Sequence, residues 1–549
     1  MSTDDTTGAN PDPAGADPDA VMDDADIDRA LESLPGIGEV GLDETGLSLP
    51  VDLGDGTGDG AGGSVDTSGT GVADDPDARP PRPVTAADLE ELREVEAELT
   101  ARWPETRIDP TLDRISALMD LLGSPQRSYQ SIHVAGTNGK TSVVRMIESL
   151  LRAFHRRTGR TTSPHLQLPT ERIAVDGVPL HPRDYVATWR EIQPFVEMVD
   201  ARSEAAGGPR MSTFEVLVGM AYAAFADAPV DVAVVEVGMG GRWDATNVID
   251  ADVSVITPVG LDHTDYLGDT IAAIAGEKAG IISSRWDTDD LLSPPDTVAV
   301  VAEQEPEAME VILRQAVEAD AAVAREGSEF GVVESTVAVG GQQLTLRGLG
   351  GTYTDIVLPL SGEHQARNAA LALAAVEAFF GAGANRQLDV DTVRRGFAQV
   401  RSPGRLERVR SAPSVFIDAT HNPHGARALA KAVDRDFSFR RLVGVVGVLS
   451  DKDARGILAE LEPVMDEVVV TQSTSPRALD VETLAEYARD AFGEERVHVA
   501  PLLPGAMELA TQLAEDDGGD GMVSGAGVLI TGSVVTAGEA RTLFGKEPA

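Results

Sequence analysis

Between a β-rich run, Ser131 to Ala135, and a stretch of helical spacing, Val143 to Phe154, stands Gly136-Thr-Asn-Gly-Lys-Thr-Ser142. These residue types in this order suit phosphate binding. Gly136 and Gly139 let backbone N–H groups come close to phosphate oxygens, the helix N-terminus favours negative charge, and Lys140 adds a cation. Thr137 and Asn138 complete the loop, and either Thr141 or Ser142 can hold magnesium. Val134 occupies the place where the full phosphate-loop pattern has its first glycine, so the match is to the shorter G-T-N-G-K-T form. A glycine turn without a ligand is the competing reading, and only the rest of the chain can decide.

A second group of chemistry-bearing residues follows. Glu236 ends a run made otherwise of valine and leads into Gly238-Met-Gly-Gly-Arg-Trp-Asp-Ala-Thr-Asn247. A carboxylate at the carboxyl edge of a strand lies where ligands bind in open α/β sheets, and it suits a hard cation. The alternative is a carboxylate paired with a neighbouring arginine. His263, in Leu261-Asp-His-Thr-Asp265, is flanked by carboxylates in a loop after another strand, which allows a metal or phosphate role beside a purely structural one. Lys278 is a lysine in a chain that favours arginine, which points to amine chemistry; its bland reading is an ion pair with Glu277. Asn368 closes His364-Gln-Ala-Arg-Asn368 at the head of an apolar helix, with amide and imidazole groups at spacings that share a helix face. Farther on, Asp418 and His421 lie in Asp418-Ala-Thr-His-Asn-Pro423, where they could reach a nucleotide or cap the next helix.

Elements must hold these groups together, and their pattern alternates. Thr85 caps an expected helix Ala86 to Thr100, and another runs from Asp113 to Leu122. After the phosphate loop come a helix Phe214 to Ala226, strands Val230 to Val237 and Val253 to Thr257, and a helix Ile271 to Ile282. Arg285 to Pro295 reads as a surface insertion and Val332 to Leu346 as a hairpin. A second alternating series starts at Val415, beyond the Pro-Gly break in Val400-Arg-Ser-Pro-Gly-Arg405, and continues to a strand Gly527 to Thr531. Alternation of this kind implies mostly parallel sheets covered by helices, an α/β fold. Residues 1–84 are rich in Asp, Gly, Pro, Ser and Thr and too poor in apolar groups to offset ordering entropy, so a disordered acidic tail is expected before folded segments 85–400 and 401–549.

Composition narrows the function. A formal net charge of −45 argues against nucleic acid or an anionic membrane as partner, since both reward clustered Lys and Arg. Residues 1–83 alone carry 20 Asp and Glu against three Arg. No apolar run approaches the roughly 20 residues that span a bilayer, and the N-terminus lacks a signal-peptide pattern, so a cytoplasmic location is expected. Cysteine is absent, which excludes disulfides, thiolate metal sites and a cysteine nucleophile.

Taken together, His133-Val-Ala-Gly-Thr-Asn-Gly-Lys140, Ser163-Pro-His-Leu166 with Glu171-Arg-Ile173, Glu236 to Asn247, Leu261-Asp-His-Thr264 and Asp418 to Pro423 resemble the folylpolyglutamate synthase and dihydrofolate synthase family of the Mur ligase superfamily. The resemblance covers roughly residues 86–549. It implies a phosphate-loop ATP-binding central domain, a smaller Rossmann-like glutamate-ligase domain, and a ligase that uses ATP and magnesium to join L-glutamate to dihydropteroate or a reduced folate through an acyl phosphate; a monomer is expected, though the sequence does not fix the oligomeric state. By position it makes Lys140 the phosphate-binding cation and Thr141 or Ser142, Glu236 and His263 the magnesium set. Lys278 matches a lysine carbamylated in the family, where it helps to hold a second metal. Asn368, Arg405, Asp418 and His421 resemble nucleotide contacts, and Ser163, Pro164, His165 and Arg172 the pterin side. Many folate-branch members have glycine after the loop lysine, whereas here Thr141-Ser142 follows directly, so the hydroxyl ligand stays open by one residue. The rivals are a cell-wall Mur ligase, which needs a further N-terminal domain, and a non-catalytic nucleotide-binding scaffold.

Overall fold

The computed structural model describes residues 82–103, 109–283, 297–383, 386–516 and 525–549. The acidic tail expected over 1–84, apart from its last three residues, and the insertion expected at Arg285 to Pro295 therefore lie outside the described residues.

Among the described residues, one sheet has eight strands: β1 (Gln130–Ala135), β2 (Thr158–Thr161), β3 (Ile173–Val175), β4 (Val178–Pro179), β5 (Val232–Glu236), β6 (Val253–Ile256), β7 (Val298–Val301) and β8 (Ala322–Arg325). Their order is β4-β3-β2-β5-β1-β6-β7-β8, parallel except for β3 and β4 at one edge. Strand β5 is buried along its whole length, as a valine run covered by helices on both faces requires. The chain leaves β1 for one side of the sheet and returns past it to β6. The carboxyl ends of β5, β1 and β6 thus flank a topological switch point, where such sheets bind ligands.

Behind that edge lies the helix Lys140–Ala153, which begins three residues earlier than its apolar spacing suggests because Gly139, at φ +91°, serves as its cap. Val143, Val144, Met146, Ile147, Leu150 and Leu151 are buried in one core with the helix Glu363–Phe379. That second helix is apolar on nearly every face, the mark of a helix enclosed by its neighbours. The 24-residue helix Pro182–Ala205 has no counterpart in the sequence reading; Pro194 within it and its mixed polarity conceal it. The helix expected to reach Ile282 stops at Ala279, where Arg242 N–H takes the carbonyl of Glu277 at 2.9 Å.

The expected hairpin is present as β9 (Gly331–Ala338) and β10 (Gly341–Arg347), and β11 (Thr352–Leu358) extends it to a three-stranded antiparallel sheet. The C-terminal half forms a six-stranded sheet of β12 (Glu407–Ser411), β13 (Ser414–Ile417), β14 (Arg441–Val446), β15 (Glu467–Gln472), β16 (Val497–Leu502) and β17 (Ala526–Thr531), in the order β12-β13-β17-β14-β15-β16. Only β12 runs antiparallel to its neighbour. The architecture is α/β throughout, and among the described residues no helix is long and apolar enough to cross a membrane.

Candidate active site

The loop 136–139 hangs from the end of β1 and is held by what surrounds it. Gly136 has φ +144°, and a β-carbon there would overlap the Thr257 side chain, so this residue cannot be larger. Thr137 is fastened to the loop after β6: its hydroxyl donates to Gly260 O at 3.1 Å and accepts from Gly260 N–H at 3.0 Å. Lys140 Nζ donates to the carbonyls of Gly136 and Thr137, both at 3.1 Å, folding its ammonium back over the loop.

Thr141 and Ser142 diverge. Thr141 Oγ1 donates to Glu236 Oε1 at 2.9 Å. Ser142 points the other way, buried, 3.3 Å from Ser402 Oγ, and accepts from Gln365 Nε2 at 3.3 Å. Gln365 Oε1 in turn accepts from Asn368 Nδ2 at 3.1 Å, and Asn368 packs against Gly139. The hydroxyl beside the carboxylate is therefore that of Thr141.

Glu236 is 3% exposed, and its Oε2 has no hydrogen-bond partner. Burial raises its pKa, against the pull of Lys140. A buried carboxylate oxygen left open beside a hydroxyl is costly unless a cation completes it, so these two groups fit a hard divalent ion. His263 stands in the loop after β6. It sits in the left-handed region at φ +51°, its Nε2 is 3.9 Å from Asp262 Oδ1, and burial pushes its imidazolium down to about 4. Among the described residues no three His, Asp or Glu side chains converge on one point. Thr141 meets Glu236 directly, and the charge of Lys140 acts on both Glu236 and His263, with that of Lys278 also reaching His263.

Lys278 is buried, and its Nζ donates to Gly136 O at 2.9 Å instead of pairing with Glu277. Burial, assisted by the charge of Lys140, lowers its pKa to about 7. The helix end that carries it is braced by Gly241, where a β-carbon would strike the carbonyls of Glu277 and Lys278. Gly241 thus seats the helix that carries Lys278.

Ser163, His165 and Arg405 line a small cleft together with Thr141, Arg145 and Ala419. The Ser163–Pro164 peptide is cis. Arg172 Nε donates to His165 Nδ1 at 3.0 Å, and burial holds the His165 imidazolium near 3, so the ring is neutral. Asp418 accepts from the N–H groups of Leu406, at 2.8 Å, and Thr420, at 2.9 Å, organising the turn that carries Arg405. His421 Nδ1 lies 3.0 Å from Ala419 O. Neither residue caps the following helix, Pro423–Asp436, since Asn422 does so.

The two halves meet at the phosphate loop. Asn138 Nδ2 is 2.7 Å from His424 Nδ1, and Asn422 Nδ2 donates to Asn138 Oδ1 at 3.3 Å and Asp262 Oδ2 at 3.2 Å. Arg145 and Lys452 are site residues that sequence reasoning passed over. Arg145 stands one helical turn after Thr141, a spacing that would have found it. The signal for Lys452 was its rarity, for the chain has only five lysines.

This fold and site define a Mur-type ligase: residues 134–376 match the Mur ligase middle domain and residues 404–534 the Mur ligase glutamate ligase domain. A dihydrofolate synthase/folylpolyglutamate synthase of Mycobacterium tuberculosis is 63% identical over 489 residues, 88% of this chain and 97% of the relative. One from Bacillus subtilis is 33% identical, over 71% of this chain and 87% of the relative. A Mycobacterium tuberculosis folylpolyglutamate synthase structure complexed with ADP superposes with a TM-score of 0.79 at 63% identity, covering 84% of this chain and 100% of that one. E. coli FolC in complex with DHPP and ADP superposes at 0.69 with 31% identity, covering 83% and 97%. The chain belongs to the dihydrofolate synthase/folylpolyglutamate synthase family and is an ATP-dependent ligase.

Proposed function

We propose that this ligase joins L-glutamate to dihydropteroate and to reduced folates, acting as a cytoplasmic monomer. The observation that carries the reading is the single cleft where Thr141 of the phosphate loop, the Ser163–His165 turn and Arg405 of the C-terminal half face one another. Residues 85–400 then serve as the ATP-binding domain and 401–549 as the glutamate-ligase domain. Relatives named for both activities and a relative complexed with DHPP and ADP support this choice of substrates.

In this reading the acceptor carboxylate attacks the γ-phosphorus of ATP and ADP leaves. The glutamate amine then adds to the acyl carbon, loses its proton, and the tetrahedral intermediate expels phosphate. Lys140 and the N–H groups of loop 136–142 take up charge on the transferring phosphoryl group. Asn368, Arg405, Asp418 and His421 hold the nucleotide, directly or by shaping the turn that reaches it, and Ser163, Pro164, His165 and Arg172 form the pterin side. Thr141, Glu236 and His263 would hold one magnesium ion, and Lys278, as a carbamate, would help to hold a second; Ser142 keeps the loop joined to Gln365 and Ser402. Bound there, magnesium supplies charge neutralisation on the phosphate oxygens.

The test is ADP release with ATP, magnesium and L-glutamate, comparing dihydropteroate with tetrahydrofolate and weighing the products. Glutamylated product from both is expected. Turnover with one acceptor alone would restrict the enzyme to that branch, and turnover with neither, despite nucleotide binding, would overturn the reading.

A further inference from the structure

Arg145 stands four residues after Thr141 on the helix Lys140–Ala153, about 6 Å farther along its axis. Helical side chains lean toward the N-terminal end, so its guanidinium is carried back toward the phosphate loop, and it lines the cleft with Thr141, Ser163 and Arg405. The residue is 8% exposed, and burial together with the charge of Arg160 lowers its pKa to about 9.

Glu148, Glu171 and Glu236 lie near enough for their charge to act on Arg145, yet each is engaged by other groups. Glu148 accepts from Arg160 Nη1 at 2.8 Å, Glu236 from Thr141, and Glu171 from the N–H groups of Leu166 at 2.7 Å and Gln167 at 3.1 Å. Among the described residues the Arg145 guanidinium makes one hydrogen bond, from Nη2 to the main-chain oxygen of Ala549 at 2.5 Å, so most of its five N–H groups are open. Arg160, on β2, likewise leaves Nε and Nη2 without a partner. Two buried guanidinium groups paired so sparsely are unfavourable until an anion approaches. Ala549 O already marks where an acceptor oxygen meets Arg145. The segment that brings it is fastened by Gln167 Nε2 to Lys546 O at 2.8 Å and by Arg541 Nη2 to Glu547 O at 2.7 Å.

The two acceptor classes differ in the carboxylates they bring. Dihydropteroate carries one, and it is the group that reacts. A folate with a terminal glutamyl group brings two, so that one reacts and one does not. Four carbon–carbon bonds separate the two carboxyl carbons, a span of roughly 5 Å, close to the step along the helix from Thr141 to Arg145.

We propose that Arg145 is a specificity-determining residue for the acceptor: it binds the non-reacting carboxylate of a glutamylated folate in place of Ala549 O, and dihydropteroate offers it no such group. The inference rests on the two-acceptor reading above and names the residue that tells the acceptors apart. A guanidinium suits the task, since its planar fork takes both oxygens of a carboxylate.

The experiment uses the full chain and compares tetrahydrofolate with dihydropteroate as acceptor for Arg145→Gln and the conservative Arg145→Lys. The quantity read is the ratio of kcat/KM for the two acceptors, in which any loss common to both cancels. Arg145→Gln is expected to shift that ratio against tetrahydrofolate by roughly 10- to 150-fold, the worth of a charged hydrogen bond, and to do so through the tetrahydrofolate KM. Arg145→Lys should recover part of the shift. A second measurement begins with the parent enzyme alone: a tetrahydrofolate whose α-carboxylate is an amide should lose a similar factor, and that loss should vanish in Arg145→Gln. An equal effect of the substitution on both acceptors would make Arg145 an anchor for residues 545–549 and overturn the proposal, as would a parent enzyme indifferent to the amide. Failure of the parent to glutamylate tetrahydrofolate at all would instead remove the underlying reading.

Discussion

Thr141 Oγ1 donates to Glu236 Oε1 across 2.9 Å, joining the first turn of the phosphate-loop helix to the end of β5. Ser142, next in the chain, is turned into the protein toward Ser402. The two hydroxyls that the sequence offers on equal terms therefore differ in their surroundings. Thr141→Ala is expected to lower turnover by about 100-fold, since it removes a group at the charge-bearing centre. Ser142→Ala should cost less than about tenfold and act chiefly on stability, by about 1 kcal/mol for the lost hydrogen bonds. Steady-state kinetics and thermal unfolding of both variants check the difference.

Glu236→Gln keeps the shape and cancels the charge. Its Oε2 is buried without a partner, so the variant should fold at least as well as the parent. Magnesium should no longer strengthen nucleotide binding, with turnover falling roughly 100-fold. Calorimetric titration of ATP with and without magnesium reads this directly, and an unchanged magnesium dependence would remove Glu236 from the metal site.

Lys278 gives a pH dependence with a defined sign. Burial holds its pKa at about 7 in the folded chain, against 10.5 for a free side chain. Between those values the unfolded chain carries one more proton here, so stability contributed by this residue rises with pH through that window. Below about pH 7 both states are protonated and the slope disappears. Lys278→Met should flatten the slope in denaturation measured from pH 7 to 10 without carbon dioxide. Only the neutral amine captures carbon dioxide, so activation by bicarbonate should strengthen as pH rises from about 6 to 8. Carbon-13 bicarbonate labelling of the parent and of Lys278→Met would detect the carbamate or its absence.

Removal of residues 1–83 is expected to leave turnover within about twofold, because the groups named at the candidate site all lie after residue 135. A tenfold loss in the truncated enzyme would make the acidic segment part of its function.

The phosphate loop, the carboxylate at the end of β5 and the alternation of strand and helix were legible in the sequence because each is set by neighbours in the chain. Gly136 and Gly139 answer local backbone demands, and the valine run of β5 answers burial on both faces. The helix Pro182–Ala205 was hidden for a local reason too, since its proline and polar residues blur the helical period. What remained open was decided by distant contacts. Ser142 was separated from Thr141 by Ser402, 260 residues away, and by Gln365, 223 residues away. Lys278 was moved from an ion pair with Glu277 to the carbonyl of Gly136, 142 residues distant. Lys452 gained its place only when the C-terminal half met Asp262. The sequence by itself determined which groups the site contains and which elements carry them, through local propensity and hydrophobic period. Only the tertiary structure decided which hydroxyl faces Glu236 and which lysines gather at the seam, because those choices follow from packing and desolvation between segments remote in the chain.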